Sequence, residues 1–143
     1  MKSTIEEQLL LQDVVSRYVH LVDHAAWDRL DEVFVPDAVV DFTNFAPYIP
    51  VLRGLPAIVE QFRGMKHPIA HHAVNVVVTG SPTEATRELT SKLLIVMEDH
   101  KVYVGEYRDV MTETPAGWRV QHRVGTRPFR VGGAPPSPFD NPS

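Results

Sequence analysis

With 143 residues, 43% of them hydrophobic and 22% charged, the chain has the makeup of one globular domain with its own core. Lys and Arg total 14 against 18 Asp and Glu, for a net charge of −4, and no cationic cluster is present, which excludes the electrostatic footprint of a nucleic-acid or anionic-membrane partner. Without cysteine there are no disulfides, thiolate metal sites or thiol nucleophiles.

Residues 1–12 carry Glu6 and Glu7 and no cleavage pattern, so no signal peptide is expected, and no apolar run is long enough to span a bilayer. The expectation is a cytoplasmic protein. Ser3 with Glu6, or Thr4 with Glu7, fits a capping box. From there Leu11, Val14, Val15, Tyr18, Val19 and Val22 recur at three- and four-residue spacing, which predicts an amphipathic helix over 4–24. A short helix over 27–34 follows, stopped by Pro36-Asp37, and then a strand over 38–42. Residues 43–54 read as an irregular connection punctuated by Asn44, Pro47, Pro50 and Gly54. Pro56 suits the first turn of a third helix over 55–66, with Ile58, Val59 and Phe62 on its buried side.

After His67-Pro68 the texture becomes β-rich. Segments 70–79, 83–98, 101–113 and 118–127 are separated by Gly80-Ser81-Pro82, Asp99-His100 and Pro115-Ala116-Gly117, which read as hairpin breaks. Helices followed by an antiparallel meander give an α+β class. Strands this long must coil, and a coiled sheet with helices across its open side makes a cone with a pocket. Residues 1–130 form the domain. Residues 131–143 are a Pro- and Gly-rich tail that stays loose or lies over something, with Phe139 as a candidate lid.

Asp23 ends the first helix on its apolar ladder, four residues after Val19. A carboxylate there opposes the helix dipole and resists burial, so its placement points to a function or a hidden partner. Strand alternation puts His72, Val74, Val76 and Val78 on one face and His71, Ala73, Asn75 and Val77 on the other. On that count His72 points inward and His71 away. An inward carboxylate accepting from one nitrogen of His72 would fix its tautomer and leave the other nitrogen as a base. Tyr18, Tyr48 and Tyr107 are candidate phenol donors to a substrate. His122 shares the face of Trp118, Val120 and Val124 and is a candidate cavity residue, whereas Arg123 and Arg127 alternate with that face and are expected to be solvated. His67, His71 and His72 match no established metal spacing. No phosphate-cradling glycine loop or nucleophile elbow is present.

The stretch from Tyr18 through Asp23, Trp27-Asp28-Arg29-Leu30, Phe34 and Asp37-Ala38 to Asp41-Phe42 resembles the opening of SnoaL-like proteins. These are a branch of the cone-shaped nuclear transport factor 2-like superfamily. His71-His72-Ala73-Val74-Asn75 is similar to the family's first long strand, and Tyr107-Arg108-Asp109 with Gly117-Trp118-Arg119-Val120 to its last hairpin. Within the superfamily the resemblance is nearest in chemistry to scytalone dehydratase and hexachlorocyclohexane dehydrochlorinase, and it implies a catalytic pair of Asp23 and His72. It also implies a lyase or isomerase that needs no metal or organic cofactor. The implied substrate is a small apolar molecule such as a polyketide, terpenoid, steroid or aromatic, with Tyr18, Val22, Phe42, Tyr48, Tyr107 and His122 around it. Val22 and Phe42 stand where scytalone dehydratase has tyrosines, and Ile95 near its second histidine, so the acid half of a dehydratase is absent from its usual places. A non-catalytic binding or assembly module of the same fold, and an epoxide hydrolase or cyclase using Asp23 directly, are the alternatives. The outward Val77 and Val104 point to a homodimer or homotrimer.

Overall fold

The structure, a computed structural model, describes residues 2–128, 132–133 and 137–140. The first helix, α1, runs Ile5–Asp23, and the Thr4 hydroxyl caps it by accepting the Glu7 amide at 3.1 Å. Glu7 completes no capping box. Its carboxylate instead reaches Arg87, at 2.8–2.9 Å, and ties the helix start to the sheet. Leu11, Val14, Val15, Tyr18, Val19 and Val22 are buried as their spacing requires. The helix stops at Asp23, where Ala25 turns the chain with a φ of 52°.

A 3-10 turn, Trp27–Glu32, leads into β1, Phe34–Asp41. The second α-helix, α2, spans Leu55–Gly64 and buries Ile58 and Phe62. Ahead of it, Leu52–Arg53 forms a short β2 that pairs antiparallel with β1. Four strands follow: β3, Ala70–Thr83; β4, Thr86–Val96; β5, Val102–Thr114; and β6, Gly117–Thr126. The described residues form one sheet of six strands in the order β2-β1-β6-β5-β4-β3, with the helices packed across its inner face. The α+β class and the curved sheet around a core match the sequence reading. No helix among the described residues is long and apolar enough to cross a membrane.

Three local expectations change. Pro36 lies inside β1 rather than ending a helix, at a point where β1 skips register against β6 between Phe34 and Val39; irregular pairing of this kind is what admits proline to a strand. That β1–β6 pairing is parallel, so the sheet is not wholly antiparallel. The expected break at Gly80-Ser81-Pro82 is strand. The turn comes later, where the Thr86 hydroxyl accepts the Thr83 amide at 3.1 Å and lies 2.8 Å from the Thr83 hydroxyl. Pro82 is tolerated because β3 is an edge strand with interrupted pairing.

Two bulges decide which side chains face the core. On β3, Val74 pairs with Lys92 but Val77 pairs with Thr90, so one extra residue is inserted on β3, and Asn75 there has a φ of 54°. On β6, His122 pairs with Val110 and Val120 with Met111, which makes Gln121 the extra residue. Each insertion reverses the strand's inward–outward alternation. His71 and Ala73 therefore share a face with Val76 and Val78, and Arg123 shares one with Trp118 and Val120.

Candidate active site

Asp23 sits at the last position of α1, opposite the start of edge strand β3. Its Oδ1 lies 2.6 Å from His71 Nδ1, and its two oxygens also accept the His71 backbone amide at 3.2 and 3.1 Å. These charge-assisted bonds compensate the unfavourable position of a carboxylate at a helix C-terminus. Although the residue as a whole is exposed, its side chain is only 21% exposed, and that of His71 is 7% exposed. Burial pushes His71 below the usual histidine range, while the Asp23 carboxylate pulls the other way. With Nδ1–H held by Asp23, the neutral ring leaves Nε2 as its free acceptor.

His71 lines a cavity of about 30 Å³ walled by Tyr18, Phe42, Phe62, Tyr107, Leu93 and Ile95, with His67 and Phe139 at its margins. The aromatic wall is closely packed. Tyr18 meets Tyr107 edge-on at 5.9 Å, and Phe42 stacks on Phe45 at 4.8 Å. Gly125 on β6 makes that stack possible: a Cβ there would lie 2.0 Å from Phe45 Cε1. Behind the phenols is Arg123, fully buried, with its guanidinium 4.2 Å from the Tyr18 ring centre and 4.1 Å from that of Tyr107. It makes a bidentate pair with Asp109, both bonds 2.7 Å. Burial opposes the charge on Arg123, but Asp109 and the two phenols hold it above its ordinary value. Burial likewise raises both phenols, and the Arg123 cation partly offsets this.

Phe139 is buried over the cavity, 5.8 Å from Phe45. The Ser137 hydroxyl donates to the Phe45 carbonyl at 3.1 Å, and Asp140 pairs with Arg127. The segment 137–140 thus lies over the pocket, while the expectation for residues 131, 134–136 and 141–143 of the tail falls outside the described residues. Beyond Phe139 a wider vestibule of about 480 Å³ is lined by Tyr48, Gln61, Met65, Lys66, Met97 and Tyr103.

The structure brings some of the residues picked out in the sequence together and sets others apart. Tyr18, Phe42 and Tyr107 line the cavity, and Asp23 reaches it only through His71. Tyr48 stands outside in the vestibule, and Val22 is packed in the core away from the cavity wall. His72 is exposed on the outer face of the sheet, so the imidazole beside Asp23 is His71. His122 is also exposed, and Arg123, expected in solvent, takes the inward place. Both corrections have the same cause, the bulges at Asn75 and Gln121. Asn tolerates the left-handed backbone more readily than most residues, so Asn75 carried a weak signal of its bulge; Gln121 carried none. Among the described residues no group of three or more His, Cys, Asp or Glu side chains is arranged to hold a metal ion.

Residues 3–124 match the family described as the SnoaL-like domain. An uncharacterized protein of Mycobacterium tuberculosis is 26% identical over 133 residues, covering 88% of each chain. Among solved structures, a candidate aromatic ring hydroxylase from Novosphingobium aromaticivorans is 26% identical, covers 90% of this chain and 94% of its own, and superposes with a TM-score of 0.72. A candidate scytalone dehydratase from the same organism is 19% identical, with a TM-score of 0.71 over 92% of this chain and 93% of its own. The shared architecture is the nuclear transport factor 2-like, cystatin-like fold.

Proposed function

Because the chain belongs to the SnoaL-like domain family, we propose that it is a cofactor-independent lyase or isomerase acting on a small apolar molecule, with His71 as general base and Asp23 as the residue that orients it. One observation carries this reading: the 2.6 Å contact between Asp23 Oδ1 and His71 Nδ1, with the imidazole facing an aromatic-walled cavity. A buried neutral imidazole is a competent proton acceptor near pH 7, and the adjoining carboxylate stabilises the imidazolium formed on proton abstraction. The similarity in fold to a candidate scytalone dehydratase agrees with this chemistry.

In this mechanism Nε2 of His71 removes a proton from carbon next to a substrate carbonyl. The phenols of Tyr18 and Tyr107 supply hydrogen bonds to the oxygen on which negative charge develops, and Arg123, its charge paired with Asp109, packs against their rings and holds them in place. In elimination, the C–H electron pair becomes the new C=C bond as the β-substituent leaves with its own bonding pair, a leaving hydroxide taking the proton held on His71 to depart as water. In isomerisation, the same proton returns to a different carbon. Either route asks the protein for proton transfer and orientation, which pre-placed groups in an aromatic-walled cavity provide. A volume of about 30 Å³ is too small for a ring-sized substrate, so the site must widen, and Phe139 at its margin is the side chain placed to withdraw.

That small volume also favours a second reading, a module that binds an apolar ligand without turning it over. One experiment separates the two. Apolar β-hydroxy ketones and cyclic enones are incubated with the protein in deuterated water and followed by mass spectrometry. Catalysis predicts deuterium uptake at the activated carbon or loss of water, slowed about 10²–10⁴-fold in His71→Ala and Asp23→Asn and unchanged in His72→Ala. Binding without exchange supports the module. Loss of exchange in His72→Ala alone contradicts the assignment.

A further inference from the structure

A second imidazole, half-buried, lies at the margin of the same cavity and has no part in the mechanism above. His67, between α2 and β3, lines the cavity together with His71, Tyr18 and Tyr107. Its Nε2 lies 2.6 Å from the carbonyl oxygen of Phe62, one of the last α2 carbonyls that no helical amide can reach. The ring lies against Trp27 at 4.9 Å and meets Phe62 at 5.9 Å. These contacts fix both its orientation and its tautomer. With Nε2–H committed to Phe62, Nδ1 remains a lone-pair acceptor, and it has no hydrogen bond among the described residues.

The two histidines are thus held in opposite tautomers, His71 with Nε2 free and His67 with Nδ1 free. Burial lowers the His67 pKa, and the Phe62 carbonyl and Asp23 only partly restore it, so the ring is an acceptor rather than a cation at neutral pH. We propose that His67 is a second proton-accepting residue of this cavity, whose Nδ1 receives a hydroxyl donor on the substrate while His71 acts at carbon. This rests on the reading of Asp23 and His71 as the base. It narrows the ligand to an apolar ring molecule that carries a hydroxyl group. A carboxylate in that position would set its own lone pairs against that of Nδ1, with no donor to bridge them. A purely structural role, capping α2 through Phe62, would leave Nδ1 indifferent to the ligand.

The test uses the full chain with ¹⁵N-labelled histidine and two probes of equal shape, p-cresol and p-xylene. The expected result is that p-cresol moves the His67 Nδ1 resonance upfield and p-xylene does not, and that p-cresol binds about tenfold more tightly, as one buried hydrogen bond allows. In His67→Phe that preference should fall to near unity while p-xylene affinity is retained. If that variant does not fold, the wild-type spectra decide alone. A preference that persists in His67→Phe, or a p-cresol response confined to His71, would reduce His67 to a helix cap and leave the base intact. If neither probe alters any cavity resonance, His71 included, both this inference and the reading beneath it fall.

Discussion

Nδ1 of His71 and Oδ1 of Asp23, 48 residues apart in sequence, lie 2.6 Å from each other, and the same carboxylate also accepts the His71 backbone amide. The helix end and the strand edge are therefore joined by one side chain, which fixes both the position and the tautomer of the imidazole. His72, its neighbour, points to the opposite face of the sheet.

Burial has a consequence for stability against pH. His71 and His67 both titrate below the ordinary 6.5 in the folded protein. Between their lowered values and 6.5 the unfolded chain binds more protons than the folded one, so stability rises with pH through that window and falls as pH drops below 6.5. Urea midpoints are expected to be lower at about pH 5 than at about pH 7.5, and a midpoint independent of pH over that range would contradict the burial of two neutral rings.

The Arg123–Asp109 pair should be costly to halve. Arg123→Met strands a buried carboxylate and Asp109→Asn strands a buried cation, and each is expected to lose about 3–5 kcal/mol in urea unfolding. Replacing both at once, Arg123→Met with Asp109→Leu, should recover most of that loss. Single variants within about 0.5 kcal/mol of wild type would mean that the guanidinium is hydrated rather than held between Tyr18 and Tyr107.

Much of this architecture is legible in the sequence. The α1 ladder from Leu11 to Val22, the proline at the start of α2 and the β-rich second half all follow from periodicity and turn residues. Asp23 stands out because its place conflicts with both the helix dipole and burial. The reading fails where a strand stops alternating. Counting by twos from Val78 back to His72 crosses Asn75, and counting from Trp118 to His122 crosses Gln121, so each count emerges on the wrong face. A single inserted residue leaves composition and propensity almost unchanged while exchanging His72 for His71 and His122 for Arg123. The tautomer of His67 depends on a carbonyl at the end of α2 and has no signature in local sequence.

Asn75 offers a direct check on that explanation. Its φ of 54° suits Gly and is tolerated by Asn, but a β-branched residue is strained there. Asn75→Gly should be close to neutral, and Asn75→Val should lose about 1–2 kcal/mol by equilibrium unfolding. Equal stability of the two variants would argue against a left-handed residue at the bulge.

The outer face of the sheet carries a row in direct register, His72 beside Leu94 beside Val104, with Val74 and Val102 exposed close by. An exposed apolar patch on a sheet is what a second copy of a chain commonly covers. Sedimentation velocity is expected to give a homodimer or homotrimer, shifted to monomer by Leu94→Lys or Val104→Lys. A monomeric wild type would remove this face as an interface.

The most direct test of the central claim needs no substrate. Long-range ¹H–¹⁵N spectra of the histidine rings report tautomer and protonation residue by residue. The account predicts that His71 carries its proton on Nδ1, titrates below 6.5, and titrates lower still in Asp23→Asn, because the carboxylate that favours its charged form has gone. A His71 ring protonated on Nε2, or one whose titration ignores Asp23→Asn, would contradict it.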